Sequence, residues 1–220
     1  MNFEIYKQLL AEIEPFGAKL IAVSKTKPAE DIQLLYNEGQ RIFGENKVQE
    51  MVAKYEVLPK DIQWHLVGHL QTNKVKFIAP FVSMIHSVDS LKLLQEIDKQ
   101  AEKNNRVINC LLQVFIADEE TKFGLSKEEL IQLLASKEFS TLTHVRICGL
   151  MGMASNTEDV KKIEAEFAGL KTIFVELKQA FFPNEPAFKE LSMGMSSDYK
   201  IALKQGATFI RVGSMLFGER

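Results

Sequence analysis

The sequence predicts one α/β domain over residues 1–220, a (β/α)₈ TIM barrel with an extra helix at its amino terminus. Short apolar segments rich in β-branched and aromatic residues recur eight times along the chain. The seven intervals between Ile21 and Ile210 span 189 residues, a mean of 27 per unit, which suits one strand and one returning helix. No Pro-, Gly- or Ser-rich linker divides the chain, so a single domain is expected.

The eight strand candidates are short apolar runs that follow one another in this rhythm. They cover residues 20–23, 41–43, 63–67, 82–86, 107–115, 145–151, 188–193 and 208–212. Because each interval leaves room for a helix, consecutive strands are expected to be parallel.

Residues typical of helix ends occur between the predicted strands and ahead of the first one. An extra helix is expected over about the first 15 residues, ahead of the first strand. Pro28 stands where the first residue of the next helix is expected, and Gly39 supplies a left-handed stop. Ser126 and Glu129 are spaced as a capping box, which predicts a helix that begins there.

Two further helices are predicted in the carboxyl-terminal third. Asn156 or Thr157 is expected to begin a long helix, whose apolar residues recur at spacings of three and four. Ser196 or Ser197 is expected to begin a short helix that ends at Gly206.

A doubly wound open sheet is the competing architecture. The first strand is followed by Ser-Lys-Thr-Lys-Pro at residues 24–28, not by a glycine-rich dinucleotide turn. The phosphate-binding pattern GxxxxGK[ST] does not occur in the sequence. The barrel is therefore favoured.

Composition and charge narrow the function classes. Lys and Arg number 27 against 29 Asp and Glu, a net charge of −2, so neither nucleic acid nor an anionic membrane surface is expected as a partner. The amino terminus has neither the basic flank nor the apolar core of a leader, and no apolar run is long enough to span a membrane. Cys110 and Cys148 lie in apolar stretches, which favours core positions in a reduced, cytoplasmic protein.

Glycines and hydroxyls follow the last two predicted strands, where barrels often hold phosphate. Gly194 and Ser196 come after the seventh strand, and Gly213 and Ser214 come after the eighth. Free backbone N–H groups and serine hydroxyls at these positions predict an anion site. The alternative is that the serines only cap helices and Gly213 only forms a turn.

Lys25 directly follows the first strand and is expected at the same mouth of the barrel. Partial desolvation there would make its neutral amine available for attack on a carbonyl. A solvated loop lysine is the competing interpretation. The phosphate site expected across the mouth favours a phosphorylated aldehyde held at both ends.

The motifs that carry these residues resemble the pyridoxal phosphate homeostasis proteins of the YggS/PROSC type. Seven motifs agree in order from about residue 20 onward. They are Ala22-Val23-Ser24-Lys25-Thr26-Lys27, Phe43-Gly44-Glu45-Asn46 with Val48-Gln49-Glu50, Trp64-His65-Leu66-Val67-Gly68 with Leu70-Gln71-Thr72-Asn73-Lys74, Lys122-Phe123-Gly124, Gly149-Leu150-Met151-Gly152-Met153, Ser192-Met193-Gly194-Met195-Ser196-Ser197-Asp198, and Arg211-Val212-Gly213 with Phe217-Gly218. The resemblance implies a barrel like the N-terminal domain of alanine racemase that binds pyridoxal 5′-phosphate (PLP).

Carried over by motif, the resemblance implies a role for each candidate residue. Lys25 would hold PLP as a Schiff base, and Asn46 would contact the cofactor from the loop after the second strand. Ser196, with the backbone of Gly213 and the hydroxyl of Ser214, would hold the phosphate.

Arg211 would face the pyridine nitrogen. A guanidinium donates hydrogen bonds and does not accept a proton, so the nitrogen would stay unprotonated and the ring would be a weak electron sink. A site of this kind is expected to bind PLP better than it uses it.

A monomer is expected, because the absent second domain removes the racemase-type dimer contact. The favoured hypothesis is a PLP-binding protein that is not an enzyme, because the sequence carries a PLP site without that second domain. It would store the cofactor or deliver it to PLP-dependent apoenzymes, and so take part in intracellular vitamin B6 and amino-acid homeostasis. No metal site is expected, because His65 and His69 span a strand end and a loop and do not share a face. Trp64 is expected in the barrel packing, and Met151, Met153, Met193 and Met195 around the mouth.

Two other functions stay open on the sequence. A PLP-dependent amino-acid racemase needs acid–base groups on both faces of its substrate, and alanine racemase takes the second, a tyrosine, from a separate C-terminal domain. Here the chain ends after the eighth predicted strand, and its tyrosines fall in predicted helices: Tyr6, Tyr36, Tyr55 and Tyr199. A barrel for another phosphorylated ligand would keep the phosphate site but give Lys25 no covalent role.

Overall fold

A computed structural model describes residues 1–117 and 124–218 and confirms the predicted fold class. Eight parallel strands close into a barrel, in which each strand pairs with its neighbours in sequence and the eighth pairs with the first. The strands are β1 Lys19–Val23, β2 Ile42–Glu45, β3 Gln63–Leu66, β4 Met84–Val88, β5 Ile108–Val114, β6 Val145–Gly152, β7 Glu190–Ser192 and β8 Phe209–Val212. All eight candidates are confirmed, with boundaries within two residues of those predicted.

Helices surround the barrel, and the extra helix predicted ahead of the first strand is present. The described helices are α1 Phe3–Ile13, α2 Ala29–Asn37, α3 Val48–Val57, α4 Val75–Ile78, α5 Leu91–Lys103, α6 Lys127–Ala135, α7 Lys137–Ser140, α8 Val160–Phe181, α9 Tyr199–Lys204 and α10 Ser214–Phe217. Helix α1 packs beside α10, where the Asn2 N–H donates to the Leu216 carbonyl at 2.9 Å. None of the helices described is both long enough and apolar enough to cross a membrane.

The helix starts were predicted less well than the helices themselves. The capping box of Ser126 and Glu129 is confirmed, with both hydrogen bonds formed. Pro28 is the cap of α2 and not its first helical residue. Helix α8 begins at Val160 because the carboxylate of Asp159 accepts the next N–H groups, so the predicted start at residue 156 or 157 is wrong.

The predicted start of α9 at Ser196 or Ser197 is also wrong. Helix α9 begins at Tyr199, with Asp198 as its cap residue. The carboxylate of Asp198 accepts the Met195 N–H at 2.5 Å and closes a turn ahead of the helix. The two serines lie in that turn, so their hydroxyls are not used as caps.

The core has two layers, one inside the barrel and one between strands and helices. The interior holds the side chains of Ile21, Met84, Leu111, Cys148, Met151 and Phe209. Trp64 packs in the outer layer against Phe43, with ring centroids 6.2 Å apart, as predicted. Cys110 and Cys148 are buried and unpaired, and burial raises the pKa of both thiols, that of Cys148 to about 11. Both are therefore core residues.

Candidate functional site

A cavity of about 470 Å³ opens at the carboxyl ends of the strands and brings all six predicted site residues together. These are Lys25, Asn46, Ser196, Arg211, Gly213 and Ser214. The cavity is also lined by Met153 and Met195, which were expected around the mouth, and by Ser197, which follows Ser196 in the same motif. Val23 and Val67 complete the lining and were not predicted. Cavities of about 300–1,000 Å³ are typical of small-molecule sites.

One wall of the cavity carries converging hydrogen-bond donors. The hydroxyl of Ser214 lies 3.2 Å from that of Ser196, although the two belong to different loops. The backbone N–H groups of Ser196, Ser197, Ser214 and Met215 have no partner within residues 1–117 and 124–218. This wall can bind an anion such as a phosphate group.

Gly213 allows the loops of this wall to approach the first strand. A Cβ atom built at Gly213 would lie 2.8 Å from the carbonyl oxygen of Val23, closer than such atoms pack. The predicted turn at this glycine is therefore also a close contact between the loop after β8 and the end of β1.

Lys25 is half-buried in a tight turn two residues beyond β1. Side chains of helix α3 hold this turn on both sides. The Ser24 carbonyl accepts a hydrogen bond from Lys54 at 2.8 Å, and the Thr26 N–H donates one to Glu50 at 2.7 Å. Thr26 has a φ of 64°, a left-handed conformation that a β-branched residue rarely adopts without such contacts. The position of Lys25 is thus set by α3.

A buried ion pair lies beneath the turn. The ammonium of Lys54 and the hydroxyl of Ser24 both donate to Oε1 of Glu45, each at 2.6 Å. Burial raises the pKa of Glu45, and the two hydrogen bonds oppose that shift. Sequence reasoning missed this pair, because a glutamate on a strand and a lysine on the next helix form no local motif. Only Glu45 lies in the motif around Asn46, so the motif gave no signal for Lys54.

Asn46 lies in the loop after β2, half-buried at the cavity wall. Its side-chain amide has no partner among the residues described, so it is free to bind a ligand. Gly68 explains how this loop reaches the cavity, since a Cβ there would lie 2.4 Å from the Asn46 carbonyl oxygen.

Arg211 is buried inside the barrel and lines the floor of the cavity. Its guanidinium donates to the hydroxyl of Ser192 at 2.8 Å and to the carbonyl of Gly152 at 3.0 Å. Burial lowers the pKa of Arg211 to about 10, against an opposing effect from Asp198, so the side chain is still a cation at neutral pH. These contacts fix a positive charge at one place on the floor.

A chain of buried histidines continues from this arginine into the barrel. Nδ1 of His86 lies 2.9 Å from the Ser192 hydroxyl, and Nε2 of His86 lies 2.9 Å from Nδ1 of His65. His69 instead lies beside Asp89, at 3.4 Å. No cluster of three metal-ligating side chains is found in the described ranges.

The methionines, one family motif and the tyrosines were also given expected positions from the sequence. Met153 and Met195 line the cavity, whereas Met151 and Met193 are buried at the carboxyl ends of β6 and β7 and do not line it. Lys122-Phe123 of one family motif lies outside the described residues. All four tyrosines lie in helices as predicted, and none lines this cavity.

Comparison with known proteins identifies the family. A family model described as the alanine racemase N-terminal domain matches residues 2–220, and the chain belongs to that family. Within it, the chain belongs with the pyridoxal phosphate homeostasis proteins. The protein of that name from Aquifex aeolicus (strain VF5) is 42% identical over 205 residues, covering 92% of this chain and 87% of the relative. The resemblance identified from the motifs is confirmed.

Solved structures agree with this assignment. The structure of PipY from Synechococcus elongatus PCC7942 with PLP bound has a TM-score of 0.88 and 40% identity, and the match covers 98% of this chain and 99% of PipY. Alanine racemase from Bartonella henselae matches with a TM-score of 0.72 at 19% identity over 97% of this chain and 57% of the racemase. The second match shows a shared fold only.

Proposed function

We propose that this protein binds PLP in the cavity at the carboxyl ends of the strands and takes part in intracellular PLP homeostasis. In this role it stores the cofactor and delivers it to PLP-dependent apoenzymes, and it is not an amino-acid racemase. The observation that carries the proposal is the convergence of an amine, paired hydroxyls and a buried guanidinium on one cavity. The homeostasis proteins related at 42% and 37% identity and PLP-bound PipY support it.

The residues present fit PLP at both ends. The hydroxyls of Ser196 and Ser214 and the free N–H groups beside them match a phosphate, which carries several acceptor oxygens. Lys25 offers the amine that a PLP aldehyde binds covalently, and Asn46 offers a free amide on the same cavity. When bound, PLP supplies an electrophilic aldehyde and an electron-withdrawing ring.

Arg211 favours storage over catalysis. Its guanidinium can donate to a ring nitrogen but cannot protonate it, and its positive charge opposes protonation by other groups. Contacts to Ser192 and Gly152 hold that charge in place. The pyridine ring of bound PLP would therefore stay unprotonated and withdraw electrons only weakly.

The racemase alternative needs a second acid–base group facing the cofactor. Among the residues described, the cavity is lined by no tyrosine, histidine, aspartate or glutamate, and Lys25 is its single amine. We also propose a cytoplasmic location, since the two cysteines are unpaired and buried as in a reduced protein, and a monomeric state.

A PLP titration of the purified protein tests the function directly. Saturable binding with a changed absorbance spectrum is expected, together with transfer of PLP to an added apoenzyme. Alanine racemase turnover is expected at background. Turnover that is lost on Lys25→Ala would identify an enzyme instead, and absence of any PLP binding would leave the cavity to another phosphorylated ligand.

Removal of either serine hydroxyl is expected to weaken PLP binding. A hydrogen bond to a charged group contributes about 1.5–3 kcal/mol, so Ser196→Ala and Ser214→Ala should each raise the Kd by about ten- to a hundredfold. Pyridoxal, which lacks the phosphate, should bind wild type and variants equally. Equal PLP affinity in all three proteins would contradict the phosphate assignment. Ser140→Ala, at an exposed helix end far from the cavity, is the control.

Arg211→Gln is expected to change the protonation of bound PLP. Loss of the positive charge beside the ring nitrogen should raise the pKa of that nitrogen, which a pH titration of the bound cofactor's absorbance measures. Arg41→Gln, at a half-buried arginine that does not line the cavity, is the control. Superimposable titrations of wild type and Arg211→Gln would show that Arg211 does not face the ring.

A further inference from the structure

A second cavity, of about 310 Å³, lies at the opposite end of the barrel from the candidate cofactor site. Its lining comes from the amino-terminal ends of the strands, including Lys19 of β1, Gln63 of β3 and Glu190 of β7. His65 also lines this cavity, although only 3% of its surface is exposed. The buried histidine chain therefore joins the floor of one cavity to the floor of the other.

The hydrogen atoms along this chain can be assigned from its first member. The guanidinium of Arg211 only donates, so the Ser192 oxygen accepts from it. The remaining partner of Ser192 in the described structure is Nδ1 of His86, which must accept the hydroxyl hydrogen. Burial holds the pKa of His86 well below its usual 6.5, so the ring is neutral and its hydrogen is on Nε2.

The same reasoning fixes His65. Nε2–H of His86 donates to Nδ1 of His65 at 2.9 Å. Burial lowers the pKa of His65 to about 3, so its ring is also neutral and carries its hydrogen on Nε2. That N–H has no acceptor within the described ranges. The chain thus ends in an N–H that has no protein acceptor in the described structure and that belongs to a residue lining the second cavity.

The charges around this donor are mainly positive. Arg146 and Lys189 line the cavity, and their side chains form no ion pair in the described part of the chain. Lys19 is the third cation and lies 3.8 Å from the carboxylate of Glu190, the single acidic residue among the described lining residues. Cations and amide donors therefore outnumber anionic groups.

We propose that the second cavity binds a small organic anion whose carboxylate or phosphate oxygen accepts the Nε2–H of His65 and lies between Arg146 and Lys189. The volume suits a ligand of a few carbon atoms, such as a dicarboxylate or a small phosphate ester. Carboxylate and phosphate share the acceptor chemistry that the donors require. This site is separate from the candidate PLP site and does not depend on it.

Histidine NMR tests the proposal on the full-length protein. The chain has four histidines, His65, His69, His86 and His144, so ¹⁵N-histidine labelling gives a spectrum that single substitutions can assign. Both His65 and His86 are expected as neutral tautomers protonated at Nε2. Addition of succinate or inorganic phosphate should shift the Nε2–H signal of His65 saturably. Comparison of the two probes identifies the preferred oxyanion.

Two double variants separate this site from general charge effects and from the PLP site. Arg146→Gln/Lys189→Gln should weaken the titration about tenfold or more. Lys99→Gln/Lys103→Gln removes the same charge from exposed positions on α5 and should leave it unchanged. Ser196→Ala/Ser214→Ala should also leave the His65 titration unchanged, because these serines line the candidate PLP site and not the second cavity. A His65 signal that does not shift saturably would show that the cavity does not bind the anion. An equal response in the Arg146→Gln/Lys189→Gln variant would show that these two cations do not hold it, and either result overturns the proposal.

Discussion

Lys25→Ala is expected to abolish covalent PLP binding. Borohydride should fix the cofactor on one lysine of the wild-type protein, and peptide mass mapping should place it at Lys25, because this amine lines the same cavity as the paired serine hydroxyls. The variant should lose the reducible absorbance band completely. The wall that carries the Ser196 and Ser214 hydroxyls remains, so weaker noncovalent PLP binding is expected to persist.

Lys47→Ala is the matched control for this experiment. Lys47 follows Asn46 in the same loop, is largely exposed and does not line the cavity. It should keep the band and the modified peptide. Modification scattered over surface lysines in the wild-type protein would contradict the assignment of Lys25 and leave the cavity without its covalent partner.

Lys54→Met is expected to destabilise the fold by about 3–5 kcal/mol, because it leaves the carboxylate of Glu45 buried and unpaired. Glu45 is fully buried, its Oε2 has no hydrogen-bond partner among the residues that the structure describes, and its Oε1 accepts from Lys54 and Ser24. Domains of ordinary stability have about 5–15 kcal/mol to lose, so urea unfolding should show a large fall in midpoint.

The loss in Lys54→Met should depend on pH. Without Lys54, the pKa of Glu45 rises further above its usual 4.5, so the folded state takes up a proton that the unfolded state does not hold. In the variant, the pKa of Glu45 is therefore higher in the folded state than in the unfolded state. The variant is destabilised at pH values above the folded-state pKa, and this loss is relieved as the pH falls through that pKa towards 4.5. Urea midpoints of wild type and variant should therefore converge on acidification.

Two further variants isolate the buried pair. Lys54→Met/Glu45→Leu removes both charges and should recover most of the stability, since replacing a buried ion pair by apolar residues is often neutral. Lys127→Met breaks an ion pair with Glu176 that is 41% and 46% exposed, and should cost no more than about 1 kcal/mol. A similar loss in Lys54→Met and Lys127→Met would contradict the role of the buried charge.

Local patterns predicted the fold because a barrel of this kind is assembled from neighbours in sequence. Each strand pairs with the next, and each apolar run is long enough to be recognised by itself. The capping box of Ser126 was predictable for the same reason, since both partners lie within one turn. Helix starts at Asp159 and Asp198 were missed because several residues in each loop could cap, and backbone geometry chose among them.

The candidate site was predictable to the extent that its residues end strands. Lys25, Asn46 and the residues after β7 and β8 must meet at one end of a closed parallel barrel, whatever the details of packing. Motif resemblance then gave each residue its expected chemistry. Met151 and Met193 show the limit of that argument, because a position near the end of a strand does not decide whether a side chain reaches the cavity or is buried beneath it.

By itself, the sequence determined the barrel, the leading helix, the end of the barrel that carries the candidate site and the six residues that line it. Only the tertiary structure decided the contacts that hold those residues: Lys54 under the Lys25 turn, and the chain from Arg211 through Ser192 and His86 to His65. His86 and Ser192 are 106 residues apart, so no local spacing encodes their hydrogen bond. Buried polar groups are paired by the closure of the barrel, and a linear pattern does not record which of them face one another.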